Sequence, residues 1–330
     1  MERVKIAITD SDNTTKLPSG WCLMAFMEGD EVLHLGISPN AGKRYAYLKE
    51  RAKEDAGVDE LLKTASSLQV EKVNSALDAL IALKTGVHDA RPRLQNSYRP
   101  WQNYVYLAID AYHFPFIRIT PDTNDDWIYL GPFRDRFFLA DVLDCVGRIL
   151  RLPRCESDVW PCDKLDRGLC GGYCRGLDSS FRDPDTDAGL SNDPQASGES
   201  DYSLEKLDSL LKESFLSPSQ GILEMLKHER DKYFDDLEFI KADLLDEEIA
   251  LQQKYRDWLI FLYAARQLSW EDDRLLVERG RIRRCTYRGR DYLFAPDSTP
   301  YRENESLALN LDSVDEARIL YEYYKDYSQG

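Results

Sequence analysis

The sequence concentrates its candidate metal ligands in the stretch Cys155-Glu-Ser-Asp-Val-Trp-Pro-Cys162-Asp-Lys-Leu-Asp-Arg-Gly-Leu-Cys170-Gly-Gly-Tyr-Cys174, which contains four of the seven cysteines. Six, seven and three residues separate neighbouring cysteines. Four thiolates that converge in a cytosolic protein favour a metal over disulfides. Structural zinc usually uses close cysteine pairs, which only the last interval provides, whereas iron–sulfur clusters also take four thiolates. The spacing therefore leaves zinc, an iron–sulfur cluster and unligated cysteines as open interpretations.

The charge of the chain changes on either side of this stretch. Residues 91–154 carry nine arginines against seven aspartates, whereas residues 176–250 carry 20 acidic side chains against seven basic ones. Residues 183–198 are rich in Pro, Gly, Ser and Asp, and such a composition cannot bury enough apolar surface to offset its ordering entropy. We therefore predict an acidic flexible linker at 181–200. The whole chain is predicted to divide into five segments: 1–110, 111–180, 181–200, 201–268 and 269–330.

Composition limits the classes of protein to consider. Of the 330 residues 43% are hydrophobic, which is enough for packed cores. The formal net charge of −16 disfavours tight unaided binding to DNA unless basic side chains gather on one face. The sequence has no apolar run long enough to span a bilayer, no signal-peptide plan and no GxxxxGK[ST] loop. We therefore expect a soluble cytoplasmic protein without an ATPase of its own.

Hydrophobic periodicity and turn residues predict an α+β fold. Residues 20–36 form two strands around a turn at 28–30, and helices follow at 43–56 and 74–84, the second capped by Ser75. Residues 116–119 and 127–130 are expected to pair as a hairpin, followed by an amphipathic helix at 135–150. Helices are predicted at 203–215 and 221–267, the latter as a helical hairpin or paired coil. Strands at 275–294 and a helix at 313–327 complete the pattern.

The segment from Tyr112 to Gly176 resembles UvrC, the nuclease subunit of bacterial nucleotide excision repair. The family's YPYI(K/R)I strand, YFGP segment and following helix correspond to Phe114-Pro-Phe-Ile-Arg-Ile119, Tyr129-Leu-Gly-Pro-Phe133 and residues 135–150. The family's Pro-Cys motif corresponds to the cysteine stretch. The resemblance implies that a [4Fe–4S] cluster, with zinc as the alternative, is held by Cys155, Cys162, Cys170 and Cys174.

Residues 237–249 are similar to the UVR helical hairpin of the same family, which pairs with a like hairpin on UvrB, the damage-loading helicase subunit. The resemblance implies a UvrB-like partner, with DNA bound in the complex. Residues 269–330 resemble the start of the UvrC C-terminal region. The RNase H-like and helix-hairpin-helix domains have no counterpart here, so we expect no 5′ incision. The length is similar to that of Cho, a short relative that incises on the 3′ side.

The amino-terminal segment resembles the GIY-YIG nuclease domain of the family. Residues 18–22, 32–36, 74–80 and 98–103 resemble the sequence motifs of that domain, but the residues at its catalytic positions differ from those of the family. Cys22 and His34 replace two tyrosines, and Ile37 replaces a lysine. Arg44 retains the family's arginine, whereas Asp78 replaces the metal-binding glutamate. The resemblance therefore implies a GIY-YIG-like small mixed sheet with a degenerate site.

Phosphodiester hydrolysis needs a metal, a proton acceptor and a cation that stabilises the developing charge. In this sequence Asp78 would bind Mg²⁺, His34 would act as the base and Arg44 would supply the cation. A lone histidine in an apolar strand is more often a packed one. The leading hypothesis is a UvrC-like repair protein that binds UvrB/DNA complexes with a weak or inactive nuclease. The alternatives are a Cho-like Mg²⁺-dependent 3′ endonuclease and a zinc-stabilised interaction module, so enzymatic activity stays open.

Overall fold

The computed structural model describes residues 3–8, 17–155, 163–177, 203–217, 220–295 and 307–328. Within these ranges the strands are β1 (Arg3–Ala7), β2 (Ser19–Glu28), β3 (Glu31–Asn40), β4 (Ser67–Lys72), β5 (Val105–Ile109), β6 (Ile117–Thr120), β7 (Ile128–Phe133), β8 (Trp270–Glu271), β9 (Leu275–Glu278), β10 (Arg281–Tyr287), β11 (Arg290–Leu293) and β12 (Leu307–Ala308). The α-helices are α1 (Ala41–Arg51), α2 (Ala56–Thr64), α3 (Ala76–Ala90), α4 (Arg136–Leu150), α5 (Asp163–Asp166), α6 (Leu204–Leu211), α7 (Gly221–Asp235), α8 (Phe239–Gln267) and α9 (Val314–Ser328). The predicted α+β class is confirmed.

The described residues group into two compact units, each assembled from separate stretches of the chain. One unit takes its residues from 1–102, 265–298 and 312–330, and the other from 103–264 and 299–311. The five segments predicted from the sequence follow the chain order instead, and their bounds stay predictions. The predicted linker at 181–200 lies outside the described residues. No described helix is long and apolar enough to cross a membrane.

The first unit contains an antiparallel sheet of order β1-β4-β2-β3. Strands β2 and β3 form the hairpin that the sequence predicts, with Gly29 at a positive φ of 59° in its turn. The predicted helix at 43–56 ends earlier, at Arg51, because Asp55 caps the separate helix α2 by accepting hydrogen bonds from the next turn. Ser75 caps α3 as predicted, accepting from the Asp78 N–H at 3.0 Å.

A second sheet of the same unit, of order β11-β10-β9-β8, packs on helices α3 and α9. The strands and closing helix predicted from residue 275 onward are confirmed. Their shared core joins residues that are far apart in sequence, because the apolar side of α3 faces the inner side of this sheet. This core includes Leu77, Leu80, Ile81, Leu275, Val277, Ile282, Cys285 and Leu320.

The second unit contains a sheet of order β12-β7-β5-β6. The predicted hairpin between 116–119 and 127–130 is wrong: β6 and β7 do not pair with each other, because β5 lies between them and pairs with both. All five residues of β5 are buried, which explains its central position. Helix α4 begins as predicted at Asp135, whose carboxylate accepts from the Phe137 and Phe138 N–H groups.

The predicted helix at 221–267 is divided into α7 and α8 at Leu237, whose φ is +62°. The two helices contact each other through Leu226 and Leu245, which are packed with Cys145 of α4. Arg230 on α7 also pairs with Asp246 on α8 at 2.9 Å. Of the two arrangements that the sequence predicts, these contacts identify a helical hairpin.

Candidate functional site

Cys22 lies on β2, at a position that the resemblance assigns to a catalytic tyrosine. Its side chain is fully buried, and its thiol donates a hydrogen bond to the Ser38 carbonyl at 3.2 Å. Burial raises the pKa of the Cys22 thiol. The thiolate is the reactive form of cysteine, so this residue is a packed side chain without nucleophilic character.

His34 lies on the neighbouring strand β3, at the second tyrosine position, and is also buried. Its ring stands between Phe26 and Tyr98, with centroid distances of 6.1 and 5.8 Å. The pKa of His34 is lowered to about 4, chiefly by burial and also by the charge of Arg44, while a hydrogen bond with the Leu94 backbone opposes the shift. An imidazole with this pKa is neutral at pH 7 and a weak proton acceptor. The structure therefore favours packing over general-base catalysis.

Arg44 lies half-buried on α1 and forms the polar part of the candidate site. Its Nη2 donates to the Tyr98 hydroxyl at 2.6 Å. The guanidinium also lies 5.3 Å from the ring centroid of Tyr47 and 5.4 Å from that of Tyr98. A guanidinium held between two phenol rings is oriented for a bidentate contact with an oxyanion such as phosphate. We define Arg44, Tyr47, Tyr98 and His34 as the arginine–tyrosine cluster.

Asp78 occupies the third position of helix α3, where its carboxylate takes part in capping. It accepts from the Ser75 hydroxyl at 2.9 Å, and the same hydroxyl accepts from the Asp78 N–H as the N-cap of the helix. Arg274 also donates to it at 2.5 Å. In the described residues no hydrogen bond, ion pair or ring contact joins Asp78 to Arg44 or His34. Arg44 and His34 both contact Tyr98, whereas Asp78 has no direct contact with either of them. Mg²⁺ at Asp78 would compete with Arg274 for the carboxylate.

Three of the four predicted cluster ligands, Cys155, Cys170 and Cys174, are described and half-exposed, while Cys162 lies outside the described residues. The Gly172 N–H points to the Cys170 sulfur at 3.3 Å. Partly accessible thiols with a backbone donor suit the thiolate ligands of an iron–sulfur cluster or zinc. Among the described residues no group of three or more His, Cys, Asp or Glu side chains is placed to hold a metal. The ligand set stays a prediction.

A cavity of about 260 Å³ lies beside this segment, at the end of α4. It is lined by Asp144, Gly147, Arg148, Arg151, Pro153, Gly168 and Leu169. The Gly171 N–H donates to the Arg151 carbonyl at 2.6 Å, which joins the cysteine segment to the end of α4.

The end of the α7–α8 hairpin exposes large apolar side chains. We define the hairpin tip as Phe234, Leu237, Phe239, Ile240 and Leu244, all of which are exposed. Ile240 is 80% and Leu237 is 72% accessible. The rings of Phe234 and Phe239 contact each other edge to face at 5.3 Å. Exposed apolar groups of this kind are typical of interaction surfaces.

Several curated sequences are similar to this chain. "UvrABC system protein C" of Fervidobacterium nodosum is 24% identical over 164 residues, 48% of this chain and 29% of that protein. The Salinibacter ruber protein of the same name is 21% identical over 255 residues, covering 72% of this chain and 36% of that protein. The Methanococcus maripaludis protein is 22% identical over 231 residues, covering 69% and 40%.

This chain is related to the UvrC family. It spans about three to four tenths of the length of these UvrC proteins. No family model matches it, and no solved structure matches it. The relationship predicted from the cysteine stretch and the segments before it is confirmed.

Two contacts of this UvrC relative were not predicted from its sequence. Tyr98 binds Arg44 from 54 residues away, and Arg274 binds Asp78 from 196 residues away. The Tyr98-Arg-Pro segment matches a family pattern, so it could have directed attention to Tyr98. Nothing local to Arg274 indicates its partner, because an ion pair of this kind depends on how α3 packs on the second sheet.

Proposed function

We propose that this chain is a UvrC-like nucleotide-excision-repair protein that binds UvrB/DNA complexes, with a GIY-YIG-like domain of weak or no nuclease activity. The observation that carries the proposal is the exposed hairpin tip. Its apolar side chains stand at the end of a helical pair that is otherwise well packed, through Leu226, Leu245 and the Arg230–Asp246 ion pair. A rigid support of this kind lets the tip bind a partner with little ordering cost.

The charges around the tip indicate the kind of surface that binds it. Asp235, Asp236, Glu238 and Asp243 are exposed beside the apolar side chains. An acidic rim disfavours pairing with a second copy of the same hairpin, because like charges would face each other. The surface complementary to the hairpin tip is an apolar one with basic side chains at its edge. We propose that a helical hairpin of UvrB provides this surface.

The proposed weakness of the nuclease follows from the arginine–tyrosine cluster and Asp78. Neither buried residue at the tyrosine positions is placed to activate water, since Cys22 is a protonated thiol and His34 is a weak base. Asp78 is engaged by Ser75 and Arg274. A site that keeps its cation but lacks a free metal ligand and a base can bind a phosphate without cleaving it.

The four cysteines are proposed to hold a [4Fe–4S] cluster. When bound, such a cluster supplies iron–thiolate bonds that contribute folding free energy to a small segment. Iron and acid-labile sulfide in anaerobically purified protein are the expected result. Stoichiometric zinc without sulfide would favour the zinc-stabilised interaction module instead.

The docking proposal is tested by measuring the affinity of the chain for UvrB without DNA. Ile240→Ser should weaken the complex about 30-fold, the effect of losing one interface hot spot of about 2 kcal/mol. Phe137→Ser is the matched control, because Phe137 is 81% exposed in the same unit but lies away from the hairpin tip. Equal weakening by both variants, or by neither, would contradict docking through the tip.

A second candidate function is the Cho-like Mg²⁺-dependent 3′ endonuclease, which the half-buried Arg44 between Tyr47 and Tyr98 favours. The test is incision of a lesion-bearing duplex preloaded with UvrB, in Mg²⁺ or Mn²⁺. The leading proposal expects intact DNA beside a measurable complex. A single 3′ nick lost in both Arg44→Ala and Asp78→Ala, but kept in Arg93→Ala, would establish the nuclease.

A further inference from the structure

The most basic part of the chain lies in the second sheet of the first unit. Residues 274–290 contain seven arginines and one glutamate, which gives this stretch a formal charge of +6 in a chain of −16. We define the arginine sheet by these seven side chains: Arg274, Arg279, Arg281, Arg283, Arg284, Arg288 and Arg290. The condition for nucleic-acid binding by an acidic protein is that its basic residues gather on one face. The arginine sheet meets that condition locally.

The fold directs Arg284 away from the core. Inner positions of the strands hold buried apolar residues that pack on α3 and α9, including Leu275, Val277 and Ile282. Arg284 lies opposite Leu276 and Leu293, on the other face of the sheet. Since alternate residues of a strand face opposite sides, the apolar pattern places Arg284 on the outer face.

Two turns place further arginines at the ends of β10. The pairs Arg279-Gly280 and Arg288-Gly289 both have positive φ at both positions, as type I′ hairpin turns require. The seven residues of β10 separate these turns by about 23 Å at 3.3 Å per residue. This distance corresponds to about seven phosphate spacings along one strand of a duplex. The sheet can therefore contact several phosphates at once.

The arginines differ in how accessible they are. The side chains of Arg281 and Arg283 are largely covered, with Arg283 donating to the Ala295 carbonyl. Arg290 is 69% exposed and Arg288 is 46% exposed, and both stand beside the same turn. Their guanidinium groups lie over the rings of Tyr292 and Tyr287, at 5.4 and 5.0 Å. These ring contacts hold the two cations outward at the end of the hairpin.

Carboxylates pair with the exposed arginines, Arg284 with Glu271 at 2.8 Å among them, and one carboxylate is shared by two arginines. Arg288 pairs with Glu71, and Glu71 also pairs with Arg3 at 2.9 Å, so two cations share one anion. Arg290 and Asp89 are 3.5 Å apart, a loose pair with both side chains accessible. Exposed ion pairs contribute between about 0 and 1 kcal/mol, so a phosphate that offers a charge-assisted, bidentate contact can compete for these arginines.

We infer that the arginine sheet binds the phosphate backbone of nucleic acid, with Arg288 and Arg290 making the leading contacts. The inference rests on the proposed function only in expecting DNA as the polyanion. It assigns the DNA contact to a surface separate from both the arginine–tyrosine cluster and the hairpin tip. Binding by this sheet does not depend on the base sequence of the nucleic acid, because arginines on a strand and its turns contact phosphates and not the edges of the bases.

The experiment measures affinity of the full chain for a labelled duplex, without UvrB, across a series of salt concentrations. The wild-type chain should bind with a steep negative slope of log K against log salt. Arg288→Gln with Arg290→Gln should reduce that slope by about 2 and weaken binding at least about tenfold at low salt, because each phosphate contact contributes about 0.9 to the slope. Arg284→Gln, on the outer face, should reduce the slope by about 1.

The matched control is Arg93→Gln with Lys53→Gln, which removes the same charge from the same unit. Arg93 is 46% exposed and paired with Glu28 and Glu31, so it resembles Arg288 in exposure and pairing. Unchanged binding in this control, with unfolding midpoints preserved in all variants, is the expected result. Wild-type affinity in the Arg288→Gln, Arg290→Gln variant would overturn the inference. So would competition by polyglutamate as effective as competition by DNA, which would identify an acidic protein partner.

The docking of UvrB at the hairpin tip and the binding of DNA by the arginine sheet can be overturned independently of each other. Loss of UvrB binding in Ile240→Ser is measured without DNA, and loss of DNA binding in the arginine variant is measured without UvrB. A chain that binds UvrB through the tip yet shows no duplex binding at low salt would overturn the arginine sheet alone. Duplex binding with no UvrB complex would overturn the docking proposal alone.

Discussion

The strand hairpin β2–β3 buries side chains at two positions where the family has tyrosines, whereas the helical hairpin α7–α8 exposes large apolar side chains. At the strand hairpin, two positions that match catalytic tyrosines of the family are occupied by Cys22 and His34, and both side chains are buried. At the helical hairpin, large apolar side chains such as Ile240 stand in solvent. Polar groups in the core and apolar groups on the surface both cost free energy in an isolated chain. This contrast is what the proposed function expects, namely a packed strand hairpin and an exposed surface for a partner at the helical hairpin.

The largest effect is expected at the supporting side of the helical hairpin. Leu226→Ala should lower the free energy of unfolding by about 3 kcal/mol, because it leaves a cavity between α7, α8 and Cys145. Ile240→Ala should change it by less than about 0.5 kcal/mol, since an exposed side chain loses no packing. Urea unfolding of both variants measures the difference. A large loss in Ile240→Ala would mean that the tip is packed within the chain and is not a free surface.

A second effect concerns pH and the strand hairpin. His34 has a folded pKa of about 4 against 6.5 in the unfolded chain, so the unfolded state binds the additional proton. Its contribution to stability is complete above pH 6.5 and falls as the pH drops toward 4, by about 3 kcal/mol in total. His34→Phe should flatten the stability curve in this window when urea unfolding is followed at several pH values.

The control for this prediction is His228→Gln, which removes an exposed histidine of α7 and should leave the curve unchanged. If His34→Phe and wild type lose stability equally between pH 6.5 and 4, His34 is accessible to protons in the folded state. Its role as a base would then regain support, and the contrast between the two hairpins would weaken.

The smallest effect is expected at the start of α3. Ser75→Ala should lower the free energy of unfolding by about 1 kcal/mol, because it removes the cap of the helix. Asp78→Asn should cost a similar amount through the weakened bond with the Ser75 hydroxyl and the lost pair with Arg274. Thermal unfolding with and without Mg²⁺ measures both. Stabilisation by Mg²⁺ that disappears only in Asp78→Asn would identify a metal ligand instead.

Local features of this fold were predictable from the sequence, whereas long-range contacts were not. Ser75 and Asp135 are capping residues next to the helices they cap, and the β2–β3 turn has Gly29 at its centre. Strand β5 escaped prediction because its five buried residues show no alternation that distinguishes a strand from other buried segments. Its central position then excluded the predicted hairpin of its two neighbours.

The candidate sites likewise divide into features that are local in sequence, which were predictable, and long-range contacts, which were not. The cysteine stretch is visible because its residues are adjacent in sequence, and residues 237–249 because a family pattern covers them. The arginine sheet could have been found by counting charge over residues 274–290, although its paired carboxylates on β4 and α3 could not. Asp78 was expected at a metal site, and its contacts with Ser75 and Arg274 become visible only when α3 is packed on the second sheet.

The interleaved connectivity of the first unit has a consequence for synthesis on the ribosome. Leu77, Leu80 and Ile81 of α3 pack against residues as late as Leu320, so their core stays incomplete until nearly 240 further residues have been made. At elongation speeds of about 5–20 residues per second, this interval lasts roughly 10–50 s. During it, α3 presents an apolar surface to the cell, which makes the nascent chain a client for chaperones. Ribosome-bound chains stalled before residue 270 should expose this helix to proteolysis, and released full-length chains should protect it.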